Sequence, residues 1–179
     1  MKKRVLMTVL AGLVLAAVLF VSACSQTERS AITQDKMPGS SAAKDLLVKS
    51  EVETAVSMLQ AIFSKHQKGE MTLEEAKSLG ADLLRNLKYG TDGYFWADTM
   101  EGVNVVLYGR DDVEGRNRLE DKDANGTYYV KEFLAKGKAG GGYAEYLFTK
   151  KGETKSIPKR SYVLQFEPFG WVIGSGYYL

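Results

Sequence analysis

Two helices are predicted near the start of the globular part of the chain, because apolar residues recur there at three- and four-residue spacing. One apolar stripe covers residues 44–68 and a second covers residues 72–88. Thr72 and Glu75 have the spacing of a capping box, which favours a helix start at Thr72. The first stripe could pack in a core or form a dimer seam. The core is favoured because the residues that follow predict a sheet that needs cover.

Five short strands are predicted after the helices, where apolar and aromatic residues alternate between turn signals. These strands cover residues 94–98, 103–108, 143–149, about 160–166 and 171–178. A short helix is predicted over residues 127–136. Helices followed by an antiparallel sheet give an α+β domain.

The last two predicted strands form a hairpin whose two faces carry different side chains. Tyr162 points to one face of the first strand and Val163 to the other. In the second strand Gly174 and Gly176 flank Ser175, and a glycine inside a strand often lets another group approach the backbone closely. The hairpin either closes the edge of a small sheet or presents one face to a ligand pocket, and the pattern alone leaves both open.

A polar loop of mixed charge covers residues 109–125 and is predicted to be a solvated surface or a lid over a small ligand. Asp121, Asp123 and Glu132 have part of the spacing of a calcium-binding loop. Because Glu132 falls within the predicted short helix, we predict no metal site.

No catalytic constellation is evident, so we predict that the protein is not an enzyme and needs no cofactor. The chain has one cysteine, Cys24, and one histidine, His66. His66 lies near the end of the first predicted helix, where we expect a surface residue. No pairing of a nucleophile with a base can be argued from these positions.

Composition and charge indicate a globular domain with no partner of strongly opposite charge. Of the 179 residues, 45% are hydrophobic and 26% charged, with a net charge of +2. Without the basic residues 2–4 the count is 21 basic against 22 acidic residues, a net charge of −1. A nearly neutral domain has no electrostatic footprint for nucleic acid or for an anionic membrane surface.

The N-terminus has the features of a secretory signal. A basic start at residues 2–4 precedes an apolar, uncharged run over residues 5–20, and the small residues of VSAC end at Cys24. The VSAC sequence resembles a bacterial lipobox, which implies cleavage after residue 23 and a lipid on Cys24. An uncleaved membrane helix and a plain signal peptide with a free thiol are the alternatives.

The predicted domain boundaries follow from this N-terminus. Residues 1–23 are the signal peptide, residues 24–43 a polar linker and residues 44–179 the globular domain. Lipid on Cys24 would anchor the protein to a membrane. Ser25 follows the cysteine, which by analogy with proteobacterial sorting favours the outer membrane, facing the periplasm, where the cell has two membranes.

Several ordered motifs make the chain similar to the single Cache sensor domain. They are YGTDGYFW at residues 89–96, DANG at 123–126, GGY at 141–143 with Tyr146, PKRSY at 158–162 and FEPFGWVIGSG at 166–176. The resemblance covers most of the chain after the linker. It implies a PAS-like five-stranded antiparallel sheet with a long N-terminal helix and extracytoplasmic binding of a small molecule, often a short carboxylate, in bacterial chemoreceptors and sensor kinases.

The chain departs from the resembled family in two ways. Many members carry a His-Pro pair after the second strand, where this chain has Leu107, Tyr108 and Gly109. The ligand contact of that histidine is therefore expected to differ or to pass to Tyr108 or Arg110. Receptors also continue into a second membrane helix and a signalling domain, which this sequence does not show, so signalling is expected to need a separate receptor.

A carboxylate site would need cationic or hydroxyl donors and an apolar wall. The candidate ligand-binding residues are Tyr94, Trp96, Tyr108, Arg110, Lys159, Arg160 and Tyr162. Core packing is the alternative for the aromatic candidates, and solvated charge is the alternative for the cationic ones. The function predicted is small-molecule binding by a lipid-anchored Cache domain. The alternative is a structural or interaction lipoprotein that has kept the fold without a ligand.

Overall fold

The computed structural model describes residues 41–179, which form three α-helices and a six-stranded antiparallel sheet. The elements are α1 (Ser41–Gln67), α2 (Leu73–Asn86), β1 (Lys88–Tyr89), β2 (Gly93–Thr99), β3 (Asn104–Leu107), α3 (Tyr129–Lys138), β4 (Gly142–Thr149), β5 (Ser156–Phe166) and β6 (Trp171–Tyr178). The predicted signal peptide, Cys24 and residues 25–40 of the predicted linker lie outside the described residues.

Helix α1 buries one stripe from Val48 to Ile62, whereas Leu47, which the stripe was predicted to include, is exposed. Val52, Ala55 and Leu59 are fully buried on that stripe, as its spacing predicts. The helix begins at Ser41, three residues before the predicted domain start, and Gly69 lies beyond its end with a positive φ of 74°. A glycine adopts this left-handed conformation at little cost, which lets the chain turn towards α2.

Helix α2 begins at the predicted capping box. The backbone N–H of Glu75 donates to Oγ1 of Thr72 at 3.1 Å, and the backbone N–H of Thr72 donates to Oε2 of Glu75 at 2.7 Å. A side-chain cap of this kind contributes about 1 kcal/mol. Gly80 faces α1, and a Cβ there would lie 2.9 Å from Cδ2 of Leu59. The two helices therefore pack closely at this glycine.

The sheet has the strand order β3-β2-β6-β5-β4, with β1 pairing with the start of β2, and every pair is antiparallel. The predicted α+β class and PAS-like antiparallel sheet are confirmed. The two-residue β1 is an addition to the five predicted strands.

The two faces of the sheet pack against different helices because side chains alternate along each strand. Phe95 and Ile173 lie on the α1 face, in a core shared with α1 and α2. Trp96, Val163 and Val172 lie on the opposite face, which we call the α3 face, in a second core with α3. Of the helices in residues 41–179, none is long and apolar enough to cross a bilayer.

Candidate functional site

The lysine at position 159 lies inside the protein, on the α3 face of β5. Its side chain is 1% exposed, and its Nζ donates a hydrogen bond to Oη of Tyr94 at 2.7 Å. The same Nζ lies 4.3 to 5.2 Å from the ring centroids of Tyr94, Trp96, Tyr178 and Phe148. Burial lowers the pKa of Lys159 to about 7, because water no longer stabilises the ammonium. Over residues 41–179 this amine forms no ion pair.

A small cavity lies beside Lys159, and we call it the inner cavity. It is lined by Trp96, Leu107, Arg118, Phe133, Tyr146, Phe148 and Lys159. Its volume of about 10 Å³ has room for about one water molecule. The indole Nε1 of Trp96 is buried and has no hydrogen-bond partner in the described part of the chain. Because buried donors are nearly always paired, an unpaired donor in a cavity wall indicates that an acceptor is missing.

Arg118 supplies the second buried cation of the inner cavity. One of its terminal nitrogens lies 3.1 Å from Oδ1 of Asp98, and the two side chains are 3% and 1% exposed. Asn104 donates to the same carboxylate oxygen at 2.8 Å. Burial raises the pKa of the Asp98 carboxyl, while Arg118 and Asn104 oppose this rise by stabilising the ionised form. An arginine stays protonated in proteins, and its guanidinium at 3.1 Å favours the ionised form of Asp98, so we treat the two as a buried ion pair.

Aromatic side chains form the remaining wall of the inner cavity. Tyr146 stacks on Tyr129 with ring centroids 5.2 Å apart and meets Phe133 edge-to-face at 4.9 Å. The Oη of Tyr146 lies 3.1 Å from Oγ of Ser161, and burial raises the pKa of the phenol. Tyr146 therefore stays protonated and can act as a hydrogen-bond donor.

An open groove outside the inner cavity shares two of its walls, and we call it the outer groove. It has a volume of about 170 Å³. Leu107 and Phe148 line both spaces. Tyr94 and Tyr108 lie in the groove with ring centroids 5.5 Å apart, and Arg110 lines it while pairing with Asp112 at 3.0 Å. The outer groove is therefore adjacent to the inner cavity, with Leu107 and Phe148 between the two spaces.

Strand register explains how residues distant in sequence meet at this site. Trp96 on β2 lies opposite Gly174 on β6, and Gly174 lies opposite Val163 on β5. A Cβ at Gly174 would lie 2.3 Å from Cζ2 of Trp96, so the indole rests directly on the glycine. The close approach that the sequence suggested for a strand glycine is present here, and it holds Trp96 beside the inner cavity.

The structure brings some of the predicted ligand-binding residues together and separates others. Trp96 and Lys159 line the inner cavity, and Tyr94, which accepts a hydrogen bond from Lys159, lines the outer groove with Tyr108 and Arg110. Arg160 and Tyr162 lie on the α1 face, because they occupy the alternate positions of β5.

On the α1 face, Arg160 belongs to a cluster around Asp45 of α1, which we call the Asp45 cluster. Its guanidinium donates to both carboxylate oxygens of Asp45, at 2.8 and 2.9 Å, and to Glu145 at 2.6 Å. The hydroxyl of Tyr177 donates to the same Asp45 carboxylate at 2.9 Å. The arginine thus ties α1 to the sheet. Tyr162 is buried beside it, with its ring centroid 5.0 Å from that of Tyr143.

A wider depression of about 310 Å³ lies between the start of α1 and the turn before β2. Lys44, Asp92 and Lys150 are the charged residues that line it, and none of them is buried. Size alone would favour this depression as a binding site. The buried cations lie at the inner cavity instead, and they make that cavity the candidate binding site.

Sequence reasoning missed five side chains of the inner cavity, namely Leu107, Arg118, Phe133, Tyr146 and Phe148. Arg118 lies in the charge-mixed loop, which predicts a solvated residue. Tyr146 and Phe148 share the α3 face of β4, and alternation along that strand was the signal that could have found them.

The partial calcium pattern in the same loop has another explanation. The carboxylate of Asp123 accepts backbone hydrogen bonds from Asn125, Thr127 and Leu147. Within residues 41–179 no group of acidic, histidine or cysteine side chains could hold a metal ion. Asp123 therefore shapes the turn before α3 and ties it to β4.

The side chains around the inner cavity are complementary in charge and hydrogen bonding to a small anion with an apolar body. Lys159 offers an ammonium, Arg118 a guanidinium, and Trp96 and Tyr146 neutral donors. Phe133 and the other apolar walls exclude water, which strengthens these contacts.

Comparison with known families and structures gives similar proteins along nearly all of the described residues. The family described as "Single Cache domain 2" matches residues 40–179. A solved structure described as the periplasmic sensor domain of a chemotaxis protein is 32% identical with a TM-score of 0.75, covering 77% of this chain and 96% of that one. Another, described as the structural basis for carboxylic acid recognition by a Cache chemosensory domain, is 30% identical with a TM-score of 0.74, covering 76% and 94%.

Two curated relatives are whole signalling proteins. The sensor histidine kinase MctS of Rhizobium johnstonii is 34% identical over 125 residues, which is 70% of this chain. The methyl-accepting chemotaxis protein McpP of Pseudomonas putida is 26% identical over 129 residues, which is 72% of this chain. The matched segments span 26% and 24% of the lengths of these two relatives.

Proposed function

The chain belongs to the single Cache domain 2 family, and from this membership we propose that it binds a short carboxylate in the inner cavity, outside the cytoplasm. The match over residues 40–179 gives the sensor family. The similar Cache domain described as recognising carboxylic acids supports the choice of ligand.

The observation that carries this proposal is Lys159, a buried amine that has no acidic partner within residues 41–179. A buried charge is costly unless it is paired. A bound carboxylate would supply the missing negative charge, and it would also accept from the unpaired Nε1 of Trp96. These two groups are complementary to an anion and to no cation.

Each side chain of the site has a role in this proposal. Lys159, Trp96 and Arg118 hold the carboxylate, with the phenols of Tyr94 and Tyr146 beside them. Phe133, Leu107 and Phe148 enclose its short apolar tail. Tyr108 and Arg110 line the outer groove, through which the ligand reaches the cavity.

We further propose that the domain is held at the membrane by lipid on Cys24 and that it acts with a separate signalling receptor. The lipobox-like sequence supports the first part. The curated relatives, a histidine kinase and a chemotaxis protein, support a role in signalling. Mass spectrometry of the protein from its native cell tests the anchor. Acyl groups on the N-terminal cysteine are expected in the wild type and absent from Cys24→Ser.

One observation favours a second function, that of an interaction lipoprotein without a ligand. The inner cavity has room for about one water molecule in this conformation. A carboxylate would enter only if Leu107 and Phe148 moved towards the outer groove. Ligand binding therefore has to be tested directly.

A thermal-shift screen and calorimetry on the full chain, using acetate and propionate, test the carboxylate proposal. We expect both acids to raise the melting temperature. Lys159→Met should abolish the shift. Lys155→Met removes an exposed lysine from the neighbouring loop and should leave the shift intact. A melting temperature that neither acid moves would favour the second function.

A further inference from the structure

Three charged side chains are buried in the part of the chain that the structure describes, and all three meet at the α3 face. They are Lys159, Arg118 and Asp98, with side chains no more than 3% exposed. Two are cations and one is an anion, so this interior carries one excess positive charge when all three are ionised. The inner cavity lies between Lys159 and Arg118.

Asp98 neutralises Arg118 and not Lys159. Its Oδ1 lies 3.1 Å from a terminal nitrogen of Arg118, whereas Lys159 forms no ion pair over residues 41–179. Asn104 donates to the same oxygen at 2.8 Å and fixes the carboxylate. Asp121 adds a weaker contact, with Oδ2 3.5 Å from Nε of Arg118, and is one-third exposed. The positive charge of Arg118 is therefore balanced before any ligand arrives.

We propose that Asp98 sets the charge of the ligand: by balancing Arg118 it leaves one uncompensated cation at the inner cavity, so that the site accepts a monoanion and rejects a dianion. This inference rests on the proposed function. Asp98 is a specificity-determining residue that acts through Arg118 and through the charge balance. A dianion would place a second negative group in a water-excluded space whose only other cation is already paired.

Two acids of equal carbon number test the preference for a monoanion over a dianion: propionate has one carboxylate and malonate has two. Calorimetry on the full chain at neutral pH gives the ratio of their affinities. The wild type is expected to bind propionate and to reject malonate. In Asp98→Asn, Arg118 becomes a second uncompensated cation, and the malonate-to-propionate affinity ratio should rise about tenfold or more.

Matched variants show whether the charge of Asp98 is what sets the malonate-to-propionate affinity ratio. Asp98→Glu keeps the charge and Asp121→Asn removes an acid that is partly exposed, so both should keep the wild-type ratio. The double variant Asp98→Leu/Arg118→Leu removes the whole pair. This double variant is the one to measure if Asp98→Asn fails to fold, because replacing both partners of a buried pair with apolar residues often preserves stability. Its affinity for propionate should fall, because Arg118 is lost from the cavity wall, but one excess cation remains and the malonate-to-propionate affinity ratio should stay as low as in the wild type.

The outcomes separate this inference from the proposed function. If the wild type binds propionate but the ratio in folded Asp98→Asn does not change, the role of Asp98 is overturned and the carboxylate function stands. A wild type that binds malonate as tightly as propionate overturns it as well, and so does a double variant that prefers malonate. If the wild type binds neither acid, the proposed function fails and this inference falls with it.

Discussion

Lys159 and Arg160 are consecutive residues of β5, and their cationic groups lie on opposite faces of the sheet. The ammonium of Lys159 is enclosed by aromatic rings on the α3 face. The guanidinium of Arg160 binds Asp45 of α1 on the other face, at 2.8 and 2.9 Å. One strand therefore carries a candidate ligand contact and a structural ion pair in neighbouring positions, and the two should respond differently to mutation.

Arg160→Gln should lower the free energy of unfolding by about 1 to 2 kcal/mol, because it removes charge-assisted hydrogen bonds of a partly exposed cluster. The affinity for propionate should change less than about twofold, since the guanidinium does not line the inner cavity. Urea unfolding and calorimetry measure the two effects. Loss of propionate binding in a folded Arg160→Gln would place the ligand on the α1 face.

The stability of the ligand-free protein should depend on pH through Lys159. Burial lowers its pKa from 10.5 to about 7, so between these values the unfolded chain binds a proton that the folded chain does not. Stability should therefore rise with pH across this window, by at most about 1.4 kcal/mol per unit. Urea unfolding at several pH values gives the slope of the unfolding free energy against pH. In Lys159→Met the contribution of this lysine to the slope should be absent. Equal slopes in both proteins would mean that the amine is solvated.

Propionate affinity should fall as pH rises above about 7, by up to about tenfold per unit. The anion favours the ammonium form of Lys159, so binding must then take up a proton. Asp92 raises the pKa of this lysine and Arg118 lowers it, and both effects are smaller than that of burial. Calorimetry in two buffers of different ionisation enthalpy counts the protons. No proton uptake above pH 7 would contradict the assignment.

Gly174→Ala should disturb the site through Trp96. The added Cβ would lie 2.3 Å from Cζ2 of the indole, so the ring must shift. We expect a loss of about 1 to 3 kcal/mol in stability, together with weaker propionate binding and altered tryptophan fluorescence. Gly142→Ala is the matched control in β4, because its Cβ would meet Lys136 at an ordinary 3.4 Å. If Gly174→Ala and Gly142→Ala had the same stability and the same propionate affinity, the contact between Gly174 and the indole would have no role in the site.

The sequence predicted the fold well because its signals are local. The capping box of Thr72, the stripe of α1 and the alternation of the strands each depend on residues close together in the chain. The start of α1 and the two-residue β1 were less accessible, since element ends are weakly specified by pattern.

The site was predicted only in part because its chemistry depends on contacts between distant residues. Alternation places Tyr94 and Trp96 on one face, and the same rule separates Lys159 from Arg160. Nothing in the polar loop predicts that Arg118 is buried, because its burial depends on Asp98, twenty residues earlier. A charged residue is expected at the surface until its partner is known.

Leu107 and Phe148 form the boundary between the inner cavity and the outer groove, and this arrangement has a kinetic consequence. A molecule that passes between the two spaces must first displace these side chains. At high ligand concentration the observed rate of association would therefore level off at the frequency with which the boundary opens. The dwell time of the complex would be governed by the same side-chain rotation.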